Sequence, residues 1–180
     1  SKVFEESIYE DLEWLQIKYS TDIRYQADHM DDYKGAIKEL QKLDMVYPCF
    51  CSRSDIKAEI MRAGNAPHEE ETSIYPGTCR RLSKEERIEK IAIGTSFAWR
   101  LNIRAAAKKL GNLVWSDLRL GKHTVPVGTM GDVVLARKDV PTSYHLSATL
   151  DDHIQRIGLV TRGEDLVSAT HVHKIIQSLL

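Results

Sequence analysis

The sequence predicts an α/β fold with a buried sheet, and two short apolar runs are the main reason. Val133 to Leu135 form one run and Ile157 to Val160 form the other; each is followed by a break that contains Gly or Pro and then by a helical pattern. Such alternation is typical of parallel strands joined by helices. Polar and ionisable residues follow both runs, at Thr142 to Tyr144 and at Arg162 to Asp165. Because ligands of open α/β sheets bind beyond the carboxyl ends of the strands, we expect a binding site at these residues.

Helical periodicity predicts a helix near each end of the chain and another early in it. In FEESIYEDLEWLQI the apolar side chains recur every three or four positions, and the same spacing continues from Asp28 to Leu43, whose lysines are interpreted as a solvated face. Leu166 to Leu180 is the third such segment, with two acidic residues at its positively polarised N-terminus.

Between these helices the pattern predicts a strand followed by a helix and a loop. Val46 to Cys51 reads as a short strand, and Ser52 to Asp55 has the spacing of a capping box before a helix that would end at Gly64. The polar, acidic stretch from Asn65 to Thr72 is expected to be a flexible loop.

The middle of the chain predicts a helix and two paired strands. Ser83 to Glu86 is another capping box, for a helix that stops at Gly94. Phe97 to Ile103 alternates apolar and polar residues, as a strand with one buried face does, and Leu113 to Leu118 is its expected partner. Residues 119–130 are rich in turn formers.

Composition indicates an ordinary globular protein. Of the 180 residues, 42% are hydrophobic and 28% are charged, and the net charge is −1. This charge gives no general support to a nucleic-acid partner, so an RNA-binding protein of this composition would need a local basic face. No apolar run approaches the roughly 20 residues that span a bilayer, and no signal-peptide pattern opens the sequence, so we expect a cytoplasmic protein without membrane contact.

All three cysteines lie in one part of the chain and suggest a metal site. Cys49 and Cys51 would project to the same face of a strand, and Tyr75 and Cys79 follow after a gap of 23 residues. Thiolates are favoured zinc ligands, and a structural site needs four ligands, so the phenolate of Tyr75 is the candidate for the fourth. An odd number of cysteines fits a reducing compartment better than a disulfide framework. From spacing alone, three reduced thiols beside a core tyrosine remain the alternative.

Six blocks of sequence, in order, carry a resemblance to a known family. The blocks are IYEDLEWL, YPCFCSR, YPGTCR, VVLARKDVPTSYHLS, the pair DD, and VTRGEDLVSATHVHKIIQSLL. From about Phe4 to the last residue, the chain resembles the catalytic domain of class I aminoacyl-tRNA synthetases of the glutamyl type. Within that family its sequence is most similar to those of the glutamyl-queuosine enzymes, which attach glutamate to the queuosine base of tRNA(Asp).

The resemblance implies a partial Rossmann-like catalytic domain with an inserted, zinc-containing α+β subdomain. Residues 1–48 would be the helical part of the nucleotide-binding fold, residues 49–130 the inserted subdomain that faces the acceptor RNA, and residues 131–180 the second half of the catalytic domain. The sequence contains neither a HIGH-like nor a KMSKS-like ATP-binding segment. We therefore expect these 180 residues alone to be inactive.

The resemblance also implies a structural zinc ion bound by Cys49, Cys51, Tyr75 and Cys79. Some glutamyl-tRNA synthetases instead use a histidine two residues after the last cysteine. Here that position is Arg81, which cannot bind zinc and so favours the glutamyl-queuosine branch. The ion would hold a loop together, because no site for an activated water is implied.

For the substrate, the resemblance points to Tyr144 and Arg162, which match a tyrosine and an arginine that contact glutamate in the family. A guanidinium binds a carboxylate through two hydrogen bonds, and a phenol hydroxyl fixes its orientation. Gly163 permits close approach of a ligand. Without the resemblance, Arg162 would be interpreted as a surface ion-pair residue and Tyr144 as a half-buried core aromatic.

The leading hypothesis is a monomeric tRNA-modifying ligase that activates glutamate with ATP and Mg²⁺ and transfers it to RNA, with tRNA(Asp) favoured. The alternatives are a glutamyl-tRNA synthetase that charges tRNA(Glu) and a non-catalytic, zinc-containing RNA-binding module. The module hypothesis depends on the densest basic cluster of the chain, which could equally be a solvated helix face. This basic cluster consists of Arg80, Arg81, Lys84, Arg87 and Lys90.

Other ionisable residues near the expected site receive no chemical role. Asp151 and Asp152 are adjacent on a predicted helix and point about 100° apart, so we interpret them as a solvated helix end rather than a shared site. No nucleophile pattern accompanies His145, His171 and His173, so we assign them no catalysis.

Overall fold

The computed structural model describes residues 2–20, 22–62 and 74–180, which form helices around a small sheet and a separate hairpin. The helices are α1 (Lys2–Trp14), α2 (Met30–Lys42), α3 (Arg53–Arg62), α4 (Lys84–Ala92), α5 (Ile103–Leu110), α6 (Tyr144–Ile154) and α7 (Val167–Leu179). The strands are β1 (Val46–Cys49), β2 (Ala98–Leu101), β3 (Val114–Asp117), β4 (Gly121–Thr124) and β5 (Val134–Arg137). The expected loop from Asn65 to Thr72 and the expected helix stop at Gly64 lie outside the described residues.

The central sheet has the order β1-β2-β5, and both of its pairings are antiparallel. Val46 lies opposite Leu101 and Cys49 opposite Ala98, while Arg137 lies on the other side of Ala98. Pro48 fits in β1 because β1 is an edge strand, where a missing N–H costs no sheet hydrogen bond on the open side. The expectation of a parallel sheet is therefore wrong for the strands described here.

Ile157 to Val160, expected to be the second buried strand, has no strand pairing. Its side chains are exposed, at 47% for Ile157, 63% for Leu159 and 42% for Val160. A strand forms only where a neighbour supplies backbone partners, and among the described residues this segment pairs with no strand. Apolar composition alone could not reveal that lack of a partner.

The segment from Leu113 to Leu118 pairs with a different strand from the one expected. β3 and β4 form a local antiparallel hairpin, in which Asp117 lies opposite Gly121. At the turn, the Asp117 carboxylate accepts hydrogen bonds from the backbone N–H groups of Arg119 and Leu120, at 2.7 Å and 2.8 Å. A short-range hairpin closes less chain than a pairing with β2 would, so the turn chemistry decides the partner.

The capping patterns locate two helices as predicted. The Ser83 side chain accepts from Glu86 N at 3.1 Å while the Glu86 carboxylate accepts from Ser83 N, so the capping box of α4 is complete. Ser52 and Asp55 make the same reciprocal bonds at the start of α3. Helix α5 was missed, because the alternation of Phe97 to Ile103 runs into it; the Asn102 side chain, which accepts from Ala105 N, is the cap that marks its start.

The core lies where α2, α5, α6 and α7 cover one side of the central sheet. Its fully buried members come from every one of these elements, and they include Tyr33, Leu40, Leu101, Ile103, Leu135, Leu146, Ile175 and Ile176. Helix α1 forms as predicted, yet it buries no residue, and Phe4 and Trp14 are 72% and 82% exposed. Among the helices of the described residues, none combines the length and the apolar character needed to cross a bilayer.

Asp151 is buried at the centre of a polar network, which corrects its interpretation as a solvated helix end. Its carboxylate accepts from Arg24 Nε at 2.8 Å and from Gln26 Nε2 at 2.9 Å. The Tyr33 hydroxyl lies 2.8 Å and 2.9 Å from the two carboxylate oxygens. Burial, followed by the bond to Asp151, raises the pKa of Tyr33 to about 12. Asp151 thereby joins α2, α6 and the segment before α2.

Replacing Tyr33 with Phe tests this network. The variant keeps the ring in the core but removes one hydrogen bond to a buried carboxylate, so we expect a loss of roughly 1.5–3 kcal/mol in the free energy of unfolding. Urea denaturation of the complete encoded polypeptide measures it. Tyr19→Phe, at a tyrosine that is 48% exposed, is the matched control and should change the midpoint little. Equal midpoints for the two variants would contradict the role given to Tyr33.

Candidate metal cluster and substrate cleft

The three cysteines and Tyr75 converge on one point beside the central sheet. The sulfur atoms of Cys49, Cys51 and Cys79 all lie within 4.8 Å of one another, and Cys51 Sγ and Cys79 Sγ are 3.4 Å apart. The Tyr75 hydroxyl lies 3.3 Å from Cys49 Sγ and 3.7 Å from Cys51 Sγ. Strand β1 supplies the first cysteine, and the 3-10 turn Thr78–Arg81 supplies the last. The four predicted ligand atoms are therefore grouped together.

This donor set fits a tetrahedral zinc ion. With zinc–sulfur bonds of about 2.3 Å, the sulfurs of a tetrahedral site are about 3.8 Å apart, close to the spacings between these atoms. The backbone supports the ligands, because Phe50 N donates to Cys79 Sγ at 3.3 Å and Cys79 N donates to the Tyr75 hydroxyl at 2.9 Å. Cys49, Cys79 and Tyr75 are buried and Cys51 is partly buried, so most of the group is shielded from water, as the ligands of structural zinc sites are.

The thiols of the cluster shift each other's pKa in opposite directions. Hydrogen bonding by Cys79, with a further contribution from Tyr75, lowers the pKa of Cys49 despite its burial, whereas the same bond and burial raise the pKa of Cys79. Burial and the neighbouring Cys49 raise the pKa of Tyr75 above its usual value. A thiolate that forms readily is the species that binds zinc.

Asp132, which immediately precedes the β5 region, joins the metal cluster to the core. Its side chain is almost fully buried and accepts from the Tyr47 hydroxyl at 2.5 Å, from Ile103 N at 3.0 Å and from the guanidinium of Arg80. Its carbonyl oxygen accepts from Arg100 Nη1 at 2.6 Å. Arg80 directly follows Cys79, a predicted ligand, so the position of residues 75–81, which we call the metal loop, depends on this carboxylate.

Two glycines permit the close packing of this loop. Gly77 has φ +79°, a backbone conformation that residues with a side chain rarely adopt, and this conformation allows the turn between Tyr75 and Cys79. At Gly131, an added Cβ would lie 3.0 Å from Ile74 Cγ2 and 3.1 Å from Tyr75 N, so the chain entering β5 passes directly against the metal loop. In addition, the Arg100 guanidinium lies 3.9 Å from the centre of the Tyr75 ring.

A large cleft lies between the metal loop and the helices α6 and α7. Its volume is about 1540 Å³, and its walls include Tyr75, Arg100, Arg137 and Tyr144. Tyr144 is the first residue of α6 and is 49% exposed, so its ring is available to a ligand. The sequence-predicted Tyr144 therefore lies on the cleft wall rather than in the core.

Arg162 lies in the segment between α6 and α7, and it is not among the residues that line the cleft. Its side chain is 14% exposed, which excludes the interpretation of an ordinary surface ion pair. Arg162 Nη1 donates to Thr170 Oγ1 at 3.0 Å, and Nη2 lies 3.8 Å from the Asp152 carboxylate. Burial raises the pKa of Asp152, against the opposing effect of Arg162, so this pair is a weak one. Among the described residues, no hydrogen bond or cation–π contact joins Tyr144 and Arg162.

A pair of histidines separates the two predicted substrate residues. His145 Nδ1 and His173 Nε2 are 3.2 Å apart, and the Tyr144 ring packs against both imidazoles, with its centre 5.3 Å from that of His173. Burial, with a smaller contribution from Arg162, lowers the pKa of His145 and lowers that of His173 to about 3. Both rings are therefore neutral at neutral pH. Sequence analysis named these histidines without finding this arrangement, which no local pattern signals.

A second aromatic group joins the hairpin to α7. The Trp115 ring stacks on His123, with ring centres 4.3 Å apart, and its Nε1 donates to His171 Nδ1 at 3.0 Å. Because Nδ1 accepts this hydrogen bond, the proton of the neutral His171 ring lies on its other nitrogen, Nε2. His171 also lines the cleft, so the hairpin supports one wall of it.

The basic cluster is only partly a solvated helix face. Arg80 binds Asp132, and Arg87 donates to the Arg80 carbonyl at 2.8 Å while its guanidinium lies 5.6 Å from the Tyr47 ring centre. Lys90 places its ammonium 5.8 Å from the ring centre of Phe50. These residues therefore stabilise the metal loop and its surroundings.

Comparisons with known proteins agree with one another. The family model for the catalytic domain of the class I tRNA synthetases (E and Q) matches residues 1–180. Among curated relatives, the glutamyl-Q tRNA(Asp) synthetase of Rhodobacter capsulatus is 37% identical over 98% of this chain and 64% of its own length. The glutamate–tRNA ligase of Hydrogenobaculum sp. is 35% identical over all of this chain and 37% of its own.

Solved structures share the fold. A glutamate tRNA ligase of Elizabethkingia meningosepticum superposes with a TM-score of 0.79 at 24% identity, over 97% of this chain and 36% of that one. The chain thus spans between about a third and two thirds of the length of the relatives it matches. Its mixed α/β architecture is that of glutamate–tRNA ligase structures. The chain belongs to the family of class I tRNA synthetases for glutamate and glutamine, and within it to the catalytic domain.

Proposed function

We propose that the chain is part of a ligase that activates glutamate with ATP and Mg²⁺ and transfers it to the queuosine base of tRNA(Asp). The glutamyl-Q tRNA(Asp) synthetases among its relatives are 33–37% identical. In this proposal residues 1–48 and 131–180 belong to the catalytic body, and residues 49–130 form the inserted subdomain that faces the RNA. The principal support is one observation: Tyr144 and Arg162, from separate segments, approach the same histidine pair at the cleft.

Arg162 would bind a carboxylate of glutamate. Its contact with Asp152 is long, at 3.8 Å, and its other partner, Thr170, is neutral, so the guanidinium keeps donors for a ligand. A carboxylate that enters a site this poorly exposed to water gains a charge-assisted, bidentate interaction.

Tyr144 would orient the substrate. Its ring packs on His145 and His173, and the hydrogen bond between these two residues holds both imidazoles in place. The ring that carries the Tyr144 hydroxyl is therefore held in a fixed orientation. Because both imidazoles stay neutral, they add no positive charge that would compete with Arg162 for the carboxylate. ATP and Mg²⁺ supply the activation of the carboxylate; the residues of this chain bind and position.

Cys49, Cys51, Cys79 and Tyr75 would hold a structural zinc ion. The ion would join β1 to the turn that follows Tyr75 and so shape the side of the cleft next to the RNA. A glutamyl-tRNA synthetase that charges tRNA(Glu) is the second candidate, because a glutamate–tRNA ligase is 35% identical over the whole chain. A non-catalytic RNA-binding module is disfavoured, because Arg80 and Arg87 of its basic cluster are committed to internal contacts.

The choice of RNA is tested with the complete encoded polypeptide, ATP and labelled glutamate. We expect label on queuosine-containing tRNA(Asp) and none on tRNA(Glu). The same tRNA(Asp) without queuosine is the matched control and should stay unlabelled, because the base itself accepts the glutamate. Label on tRNA(Glu) alone would establish the translational enzyme, and RNA binding without any transfer would favour the module.

Replacing Arg162 with Ala tests the glutamate site. Losing a charge-assisted bond to a carboxylate should raise KM for glutamate by roughly 10- to 100-fold, while KM for ATP changes far less. Steady-state kinetics of glutamate-dependent ATP cleavage measure both constants. Arg104→Ala, at an exposed arginine of α5, is the control for loss of one positive charge. Equal increases in both constants for Arg162→Ala would indicate a structural role instead.

Zinc content tests the metal cluster. The complete polypeptide, purified without chelator, should contain about one equivalent of zinc by atomic absorption, because four ligands in a largely buried site bind it tightly. Cys79→Ser should lose most of it and Tyr75→Phe should weaken its retention against a chelator. Tyr33→Phe is the matched control: it also removes a buried hydroxyl, but that hydroxyl binds Asp151 in the main core and not the cluster. A folded wild-type sample with almost no zinc would refute the site.

A further inference from the structure

A second, smaller groove lies beside the substrate cleft, and we call it the aromatic groove. Its volume is about 390 Å³, and its walls include Phe50, Arg53, Phe97, Arg137 and Asp139. The volume falls within the range of about 300–1,000 Å³ that is usual for small-ligand sites. The groove is separate from the predicted glutamate residues, since neither Tyr144 nor Arg162 lines it.

Two arginines of the aromatic groove are available for an anion. Arg53, at the start of α3, and Arg137, at the end of β5, are both exposed. In the part of the chain that the structure describes, neither side chain has a hydrogen bond or an ion pair. This differs from Arg24, Arg80 and Arg162, each of which contacts a carboxylate. Two exposed guanidinium groups that protein carboxylates do not neutralise are suited to a phosphate group.

The aromatic residues add a surface for a flat ring. Phe50 and Phe97 are half-buried, and their ring centres lie 5.8 Å apart at an angle of 61°. The Trp99 ring packs edge to face with the Phe97 ring, with ring centres 5.2 Å apart, and this contact fixes the position of Phe97. Lys90 adds a positive charge 5.8 Å from the Phe50 ring centre. Aromatic faces flanked by cations are the pattern on which the bases of single-stranded nucleic acids stack.

The position of the aromatic groove favours the RNA over ATP as the source of that nucleotide. The groove and the substrate cleft share Arg53, Arg100 and Arg137 as lining residues, so they adjoin each other. It also borders the metal cluster, through Cys49 and Cys51, and it is lined by neither Tyr144 nor the histidine pair. A nucleotide held there would place the next nucleotide of the same strand at the cleft.

We propose that the aromatic groove binds one unstacked nucleotide of the substrate RNA, next to the nucleotide that receives glutamate. This inference rests on the proposed function, because it requires an RNA substrate. The base stacks on Phe97, the phosphate binds Arg53 and Arg137, and Asp139 accepts a hydrogen bond from an amino group of the base or from a ribose hydroxyl. The groove thereby selects single-stranded regions of RNA, where a base is free to leave its neighbours.

Binding of labelled, queuosine-containing tRNA(Asp) to the complete, zinc-loaded polypeptide tests the aromatic groove. Arg53→Gln and Arg137→Gln should each weaken the Kd by roughly 5- to 10-fold and lower the slope of log Kd against log salt by about one. Phe97→Leu should weaken the Kd by roughly 5-fold or more without changing that slope, because stacking releases no counterions. Lys138→Gln is the matched control, at an exposed lysine next to Arg137 that lines neither the groove nor the cleft.

The possible outcomes separate this inference from the proposed function. Unchanged Kd values in all three groove variants, with transfer of glutamate to tRNA(Asp) intact, would overturn the groove and leave the function in place. A rise in KM for ATP that exceeds the rise in the RNA Kd would assign the groove to ATP and overturn the inference as well. RNA binding that responds to the variants as predicted, in a polypeptide that transfers no glutamate, would support the groove and refute the function. Absence of RNA binding by the wild type would overturn both.

Discussion

The buried carboxylate of Asp132 is the interaction on which the arrangement of the site most depends. It binds Tyr47 from β1, the backbone at the start of α5 and Arg80 from the metal loop, so three segments that are far apart in sequence meet at one side chain. Removing one partner from a buried ion pair destabilises a protein by about 3–5 kcal/mol. Loss of Arg80 from the Asp132 carboxylate is therefore unfavourable. Because Asp132 leads directly into β5, the same contacts fix where β5 begins, and Val134 at its start lines both the aromatic groove and the substrate cleft.

The metal cluster and Asp132 stabilise the same loop from two sides. The cluster belongs to a small core of its own, in which Tyr47, Cys49, Tyr75 and Cys79 pack together apart from the main core. So small a group of apolar residues buries little surface, and metal bonds would supply what its packing lacks. Asp132 connects this small core to the main one through Ile103, which is fully buried there. A zinc ion would then act on the cleft indirectly. It would hold Tyr75, which packs against Arg100 on the cleft wall, and the loop whose Arg80 binds Asp132.

Features signalled by neighbouring residues could be predicted from the sequence, and features made by distant ones could not. The capping box at Ser83 and the strand at Val46 depend on residues a few positions apart, and both were found. The partner of Leu113 to Leu118, the unpaired state of Ile157 to Val160 and the burial of Asp151 depend on which segments meet in space. The metal ligands are an intermediate case: their spacing was suggestive, and the family resemblance identified Tyr75 as the fourth residue that the structure places with the cysteines.

The placement of charge around the cleft distinguishes arginines that hold the protein together from arginines that remain available. Arg24 and Arg80 approach almost fully buried carboxylates closely, and such pairs leave little of the guanidinium for a ligand. Arg162 has only a distant carboxylate, whose pKa burial has raised, and two neutral histidines beside it. A guanidinium kept out of water without a close anion is an unfavourable arrangement in the free protein. In the proposed glutamate site, a substrate carboxylate would relieve that cost, so the incomplete pairing of Arg162 would itself be a source of affinity for glutamate.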